Sequence, residues 1–438
     1  MTLPVASGPG SPELVAALDT FTAHDGRLQS LRHAWTGSRP MAFLSPESRK
    51  ALGDRLQRLG VNYPRLAVES LAERMTLAGM DVDSTSVWPA FTRANGPELA
   101  ELVHADRLLY GSAYVTVWAT EDGTPTLTGD SPFTMTHGSD PATGETLWAA
   151  RRYVVAPDDH RLTLYTPEKI TTYRARYSGA TSYGYAFHSS TENVLGEVPV
   201  VPFIRRASLA DPATGASLVD DILDLTDAVG KILADALVSS EFYARPRRWA
   251  TGLEIEEDED GRPLDPFGDG RFLQSEDPET KFGQLEAARL DGYTDLLASL
   301  TQQVGALTGL PPHYLGLHGD QPASADGIRA AEAQLTARAR AEQRRVSSEW
   351  ARVAWMLDAV GRGDSPELST LSRVAVSWTS PETSTPAMNA DAAAKLRGIG
   401  VPLEAVLVDQ LGMEPDRARR LAELARVENV LGQAAAIR

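Results

Sequence analysis

The sequence predicts an α+β fold, on three observations. Apolar residues recur at helical spacing at both ends of the chain, a stretch from about residue 109 to 206 switches to a two-residue period, and Gly- and Pro-rich punctuation falls where the period changes. At 438 residues the chain exceeds the size at which one hydrophobic core usually stops growing, so more than one packed region is expected. With 42% hydrophobic and 23% charged residues it has the composition of an ordinary globular protein.

Residues 1–12, rich in Gly, Pro and Ser, read as a loose tail, with ordered structure expected from near Pro12. ELVAALDTFTAHDGRLQSLRHAW has helical spacing, as does YPRLAVESLAERM, with Leu66, Ser70, Leu71 and Met75 as its spaced positions and Gly79 as the expected stop. Both are expected to layer over a sheet. YGSAYVTVW, TLTGDSPFTMTH, LWAARRYVV, RLTLYTPEKITTYRA and VPVVPFIRR are β-rich runs separated by turn formers, and together predict an antiparallel or mixed sheet.

Helical spacing returns at Ser217, which forms a candidate capping box with Asp220. Leu218, Ile222, Leu225, Val229, Ile232, Leu233, Ala236 and Leu237 then make one apolar stripe until Pro246 forbids continuation, a helix on the order of 40 Å long. A second long helix is predicted over about 286–308, with Leu290, Tyr293, Leu297, Leu300, Val304 and Leu307 on one face and Gly309 at its end. Between the two, a segment rich in Gly, Pro and acid holds strand-like pieces around WATGLEI and RFLQS and reads as a small β excursion.

LPPHYLGLHGDQPASADGIRAAEAQL leads into the longest predicted helix. Ser324 can cap it, Asp326 complements its positive end, and Ile328, Ala331, Leu335, Ala339, Val346, Trp350, Val353 and Leu357 run to Gly361, with Glu342 interrupting the stripe. That length is on the order of 54 Å. RVAVSWTS follows as an edge-strand candidate, then three alanine-rich helices from about 387 to the end, separated by GIGVP and LGMEP, with Pro415 starting the last.

A formal net charge of −17 argues against a surface that grips nucleic acid, because grip comes from Lys and Arg neutralising phosphates. The absence of cysteine excludes disulfides, thiol catalysis and cysteine-ligated zinc. The start of the sequence has no basic n-region, and nowhere is there an apolar run of the roughly 18 to 20 residues a bilayer span requires. The protein is expected to be neither exported by a signal peptide nor embedded in a membrane.

The sharpest catalytic candidate is VDDILDL, where Asp220, Asp221 and Asp224 reproduce the DDxxD pattern that holds magnesium in prenyl-diphosphate enzymes. The rival explanation is a helix N-terminus loaded with acid against its dipole, and the strand-rich third and the lack of a second aspartate-rich motif favour it. Gly230-Lys231 is followed by Ile232, and Leu225 stands where a Walker loop needs Gly, so no phosphate cradle is present. GxSxG and HExxH are also lacking. His313 and His318 have no carboxylate cluster nearby beyond Asp320. The acid run Glu254, Glu256, Glu257, Asp258, Glu259, Asp260 lacks the alternation of a calcium loop and reads as a solvated tip. These residues therefore predict no catalytic group, no metal and no cofactor. The arginines Arg338, Arg340, Arg344, Arg345 and Arg352 are interleaved with Glu332, Glu342 and Glu349, the pattern of ion pairing along or between helices rather than of a DNA stripe.

Several segments carry a resemblance when taken together. GLPPHYLGLHGDQPASADGIRAAEAQLTARARAEQ, preceded by NYPRLAVESLAERM, NVLGEVPVVPFIRR and EFYARPRRWATG and followed by VSWTSPETSTPAMNADAAAKLRGIGVP, resembles the portal proteins of tailed double-stranded DNA bacteriophages of the long-flexible-tailed type. Their order and spacing cover residues from about 60 to 425. The resemblance implies a ring of about twelve subunits, each a wedge with an α/β wing, a helical stem, a small β-containing clip and a helical crown, closing through a rotational interface. On this chain it implies a tail at 1–12, a wing at 13–210 with a strand return at 363–386, stem helices at 211–244 and 286–309, a clip at 245–285, a tunnel loop at 310–323 before a long helix at 324–362, and a crown at 387–438.

By the same resemblance Leu315, Gly316, Leu317, His318, Gly319, Asp320, Gln321 and Pro322 line the DNA channel and the acidic run from Glu254 to Asp260 docks partners at the clip; in such a ring the ion pairing read from the interleaved acids is expected to place Arg338, Arg340, Arg344 and Arg345 between subunits. The implied partners are other copies of the chain, the large terminase, a head-completion or adaptor protein, the major capsid and scaffolding proteins, and double-stranded DNA passing without sequence preference. The implied location is the portal vertex of the virion, reached by assembly in the host cytoplasm. Glycine gives such a constriction conformations closed to other residues. About a dozen copies at −17 would together carry roughly −200, a charge that keeps DNA sliding instead of stuck.

Overall fold

The computed structural model describes the chain apart from residues 1–10, 40–60, 207, 211–213, 245–247, 253–277, 285–289, 318–323, 367, 414 and 437–438. It divides into two compact units: Met1–Thr36 with Asn62–Leu223 and Gly305–Arg438, and Gly37–Val61 with Asp224–Val304.

The larger unit opens with α1 (Pro12–Thr36), whose buried Leu14, Ala17, Phe21, Leu28 and Leu31 keep helical spacing. α2 (Tyr63–Ala72) starts at Asn62, whose side chain accepts the Arg65 amide at 3.3 Å. This helix was expected to run on to Met75 and a stop at Gly79, but it ends at Ala72, and Gly79 lies inside β1 (Leu77–Val82) next to a register shift. Glycine suits such an irregularity, which interrupts the ladder and bends the strand. Asp83 and Ser84, both at positive φ, turn the chain into β2 (Thr85–Ser86). α3 (Trp88–Arg93) and α4 (Gly96–Tyr110) follow.

α4 stops at Gly111, with φ of 89°. A Cβ there would lie 2.7 Å from the Gly215 backbone, so two glycines allow two loops to touch. The β-rich third then unfolds as β3 (Ser112–Ala119), β4 (Pro125–Asp130), β5 (Met135–Ser139), β6 (Thr146–Ala156), β7 (Asp159–Tyr165), β8 (Lys169–Ala175), β9 (Ala186–Glu192) and β10 (Val200–Ile204). It is divided between sheets: β10-β3-β4 is one and β5-β6-β7-β8-β9 is another. Every strand pairing among the described residues is antiparallel. As expected, α1 layers over a sheet, with Leu14, Ala17 and Phe21 packed on Ala150, Leu162 and Leu164 of the five-stranded meander.

The smaller unit holds α5 (Leu223–Ala244), the hairpin β11 (Arg248–Thr251) with β12 (Lys281–Gln284), and α6 (Asp291–Thr308) as far as Val304. The hairpin confirms WATGLEI as strand-forming at its start; RFLQS lies outside the described residues, and the partner strand is Lys281–Gln284. The Ser239 and Tyr293 hydroxyls meet at 3.0 Å and tie α5 to α6. Ser217 does not cap α5 directly: a 3-10 turn over Asp220–Ile222 comes first, and Asp220 accepts the Ser217 amide at 3.1 Å.

Back in the larger unit, α7 (Ala325–Arg362) is 38 residues long and capped by Ser324, which accepts the Gly327 amide at 3.1 Å. It runs past Gly361 and ends at Gly363, whose φ of 72° reverses the chain. The predicted stripe is buried from Leu335 to Leu357, whereas Ile328 and Ala331 are exposed. Ala354, Trp355 and Met356 are also buried, so the second half is covered on most sides: it packs on strands of both three-stranded sheets and is the spine of this unit. α8 (Leu368–Leu371) leads to β13 (Val374–Trp378), the expected edge strand, in the order β13-β1-β2. α9 (Pro386–Gly398), α10 (Leu403–Asp409) and α11 (Pro415–Ala436) complete the chain.

Candidate functional site

The turn before α7 is held from three directions. α6 ends at Gly309, where Arg338 of α7 lies so close that a Cβ would sit 2.8 Å from its Nε; the Arg338 guanidinium donates to the Leu307 carbonyl at 2.7 Å, satisfying a helix end. Pro312–Leu315 then form a 3-10 turn, closed by Gly316 at φ 71° and by the Leu317 amide donating to the Pro312 carbonyl at 3.0 Å.

Glu332, one-fourteenth exposed at 7%, is the hub behind that turn. Arg74, just past α2, approaches it at 3.3 Å and uses its other donors on the Pro381 carbonyl at 2.8 Å and the Tyr314 hydroxyl at 3.1 Å. Thr383 donates its hydroxyl to Glu332, and His313 Nε2 lies 3.7 Å from it. Gln343 adds two bonds, donating to the carbonyls of Arg74 at 2.9 Å and Thr379 at 3.2 Å. The long helix thereby clasps the turn, the end of α2 and the segment after β13.

A second hub lies further along α7. Glu342 is buried and accepts Arg107 at 2.7 Å and Arg345 at 2.7 Å, with Arg205 at 3.5 Å. Burial by itself would raise the Glu342 pKa, but the guanidiniums, Arg107 foremost, hold it below the ordinary carboxylate range. For two neighbouring acids burial wins: it pushes Asp106 up to about 7 and raises Glu349 against the opposing pull of the Ser348 hydroxyl and of Arg107. Trp350 donates to His104 Nε2 at 2.8 Å in the adjoining core, and burial, aided by Arg107, lowers that imidazole to about 3, leaving it a neutral acceptor.

The proposed magnesium aspartates have other occupations. Asp220 accepts Arg27 at 2.8 Å and caps the Ser217 amide, while Asp221 and Asp224 are exposed. Among the described residues no group of three or more His, Asp or Glu is placed to hold a metal, and no helix is long and apolar enough to cross a membrane.

Residues 45–427 match the family described as phage portal protein, SPP1 Gp6-like. The portal protein of Mycobacterium phage D29 is 32% identical over 365 residues, covering 78% of this chain and 73% of that protein; the portal protein of Mycobacterium phage L5 is 32% identical over 380 residues, covering 80% and 75%. This chain belongs to the phage portal protein family. Among solved structures, a chain from the virion of a native gene transfer agent particle overlaps 90% of this chain and 98% of its own length, with a TM-score of 0.46 and 15% identity. The family membership shown by the sequence matches agrees with the α+β portal fold expected from sequence, and the prenyl-diphosphate alternative finds no support.

Of the portal residues assigned to the channel, Leu315 ends the 3-10 turn, Gly316 reverses the chain and Leu317 closes it; His318, Gly319, Asp320, Gln321 and Pro322 lie outside the described residues, as do Glu254, Glu256, Glu257, Asp258, Glu259 and Asp260. Within the chain, Arg340 pairs with Glu382, Arg345 with Glu342 and Arg352 with Glu197, Arg338 caps α6, and Arg344 is exposed. Sequence reasoning did not find Arg74, Arg107, Arg205, Tyr314 or Thr383. One signal existed for Arg107: an acid at position 342 interrupting an apolar stripe demands a buried base.

Proposed function

We propose that this portal subunit closes with about eleven copies of itself into a ring at one capsid vertex and serves, without enzymatic activity of its own, as the head–tail connector through which double-stranded DNA enters and leaves. The observation that carries this reading is the portal family match across residues 45–427. The Asp224–Val304 part of the smaller unit lies within the 211–309 assigned to stem and clip, which supports that assignment, whereas its Gly37–Val61 part falls in the segment assigned to the wing. In this reading the wing comprises 13–210 and 363–386 and the crown 387–438. No Walker loop is present, so the packaging ATPase is a partner, the large terminase, docking at the clip and later replaced by a head-completion protein. Wing and crown face the major capsid and scaffolding proteins, and rings assemble in the host cytoplasm before entering the virion. The acidic charge keeps DNA mobile in the channel.

Electron-microscopic averages of the purified protein viewed down the particle axis test the ring. Closed rings with a central hole are expected, and a chain that stays monomeric at every concentration and salt overturns the reading. Shortening Leu315–Gln321 is expected to leave rings intact while impairing DNA passage or retention; loss of rings would make that loop architectural instead.

A further inference from the structure

We infer that Glu332 is a positioning residue for the DNA path: through Arg74, Tyr314 and Thr383 it fixes the Pro312–Leu315 turn to the long helix, so that the channel-lining segment begins from a fixed root. The inference rests on the channel assignment of Leu315–Leu317 made above. Three observations carry it. First, the turn itself supplies little burial: Pro312 and Gly316 are exposed, and His313, Tyr314 and Leu315 are only half-buried, so apolar packing alone holds it weakly. Secondly, its polar side chains converge on one carboxylate. Tyr314 reaches Glu332 through the Arg74 guanidinium at 3.1 Å, and His313 lies 3.7 Å from the other carboxylate oxygen. Thirdly, the remaining contacts of that hub are to parts of the larger unit distant in sequence, Arg74 after α2 and Pro381 and Thr383 after β13, so the anchor is framed by the wing as well as by α7. A cation held by a carboxylate and also spread over a carbonyl and a phenol fixes direction as well as distance, because the guanidinium's donors are rigidly forked.

The chain's lack of cysteine makes the test direct. A nitroxide on Leu317→Cys reports order at the turn, and one on Ala337→Cys, exposed about one and a half turns beyond Glu332, reports the helix itself. In assembled rings, Glu332→Ala is expected to mobilise the Leu317 label and leave the Ala337 label unchanged, with Glu332→Gln, which keeps an acceptor, mobilising it less. Tyr314→Phe, which removes one hydroxyl and no packing, guards against general misfolding and is expected to act in the same direction. In phage carrying these changes, rings form normally while filled, DNA-retaining heads fall several-fold. An unchanged Leu317 label, or equal loosening at both labels, overturns the inference. A loosened turn with normal DNA filling overturns the channel assignment on which it rests.

Discussion

Glu332 and Glu342 lie on the same helix, about 15 Å apart along its axis, yet they are built differently. Glu342 is buried among three guanidiniums, with Arg107 only 1% exposed. Glu332 shares one guanidinium, itself 13% exposed, with hydroxyls and backbone carbonyls. The difference teaches that one helix can be riveted at one end and clasped at the other. A buried charge left without its partner is costly, so the Glu342 hub tolerates no adjustment. In the Glu332 hub Arg74 and Thr383 each have a second partner, and the hub sits where the chain turns toward the proposed channel.

The largest effect that could break this comparison is at the rivet. Glu342→Ala leaves Arg107 buried and uncompensated and is expected to cost about 3–5 kcal/mol in urea unfolding. If it costs no more than Glu332→Ala, the two hubs are equivalent. The pH dependence sharpens the same point. Glu342 is held below its unfolded pKa, so its contribution is present above the ordinary carboxylate range and is lost as pH falls through the lower native value. Asp106, one residue before Arg107, behaves oppositely. Its native pKa near 7 means that the folded state favours the protonated acid, so stability is lost as pH rises from about 4 to 7. Asp106→Asn is expected to flatten that part of the profile and to gain about 2 kcal/mol at pH 8, measured as a rise in unfolding midpoint. An unchanged profile would show that the carboxylate is solvated.

Smaller effects probe the clasp. Glu332→Ala is expected to cost about 1–2 kcal/mol, since Arg74 keeps the Pro381 carbonyl while its hold on the Tyr314 hydroxyl loosens. Ser324→Ala removes the acceptor of the Gly327 amide and should cost about 1 kcal/mol, read as fraying of the first turn of α7 by hydrogen exchange. No change in protection there would mean that neighbouring contacts, not the cap, set the helix start.

Much of the fold was legible because it is written in local periods. The stripe from Leu335 to Leu357, the Ser324 cap, the strand runs and the edge strand at Val374–Trp378 each depend on residues within a few positions of one another. Gly79 misled because glycine marks both a helix stop and a strand irregularity, and the choice depends on the pairing partner at Ser377. The division of the β-rich third into separate sheets was equally hidden, since alternation shows that a strand has two faces and says nothing of which strand lies beside it.

By itself the sequence determined where the long helices and most of the strand runs form, that the chain is acidic and without cysteine, and which family its ordered motifs resemble. Tertiary structure alone decided that α7 runs through the core rather than over it, and which bases meet Glu332 and Glu342. Arg107 and Glu342 are 235 positions apart, and Arg74 and Tyr314 are 240 apart. Propensity and spacing act over a few residues, whereas the cost of burying a charge is relieved only by whatever partner the finished fold brings to it.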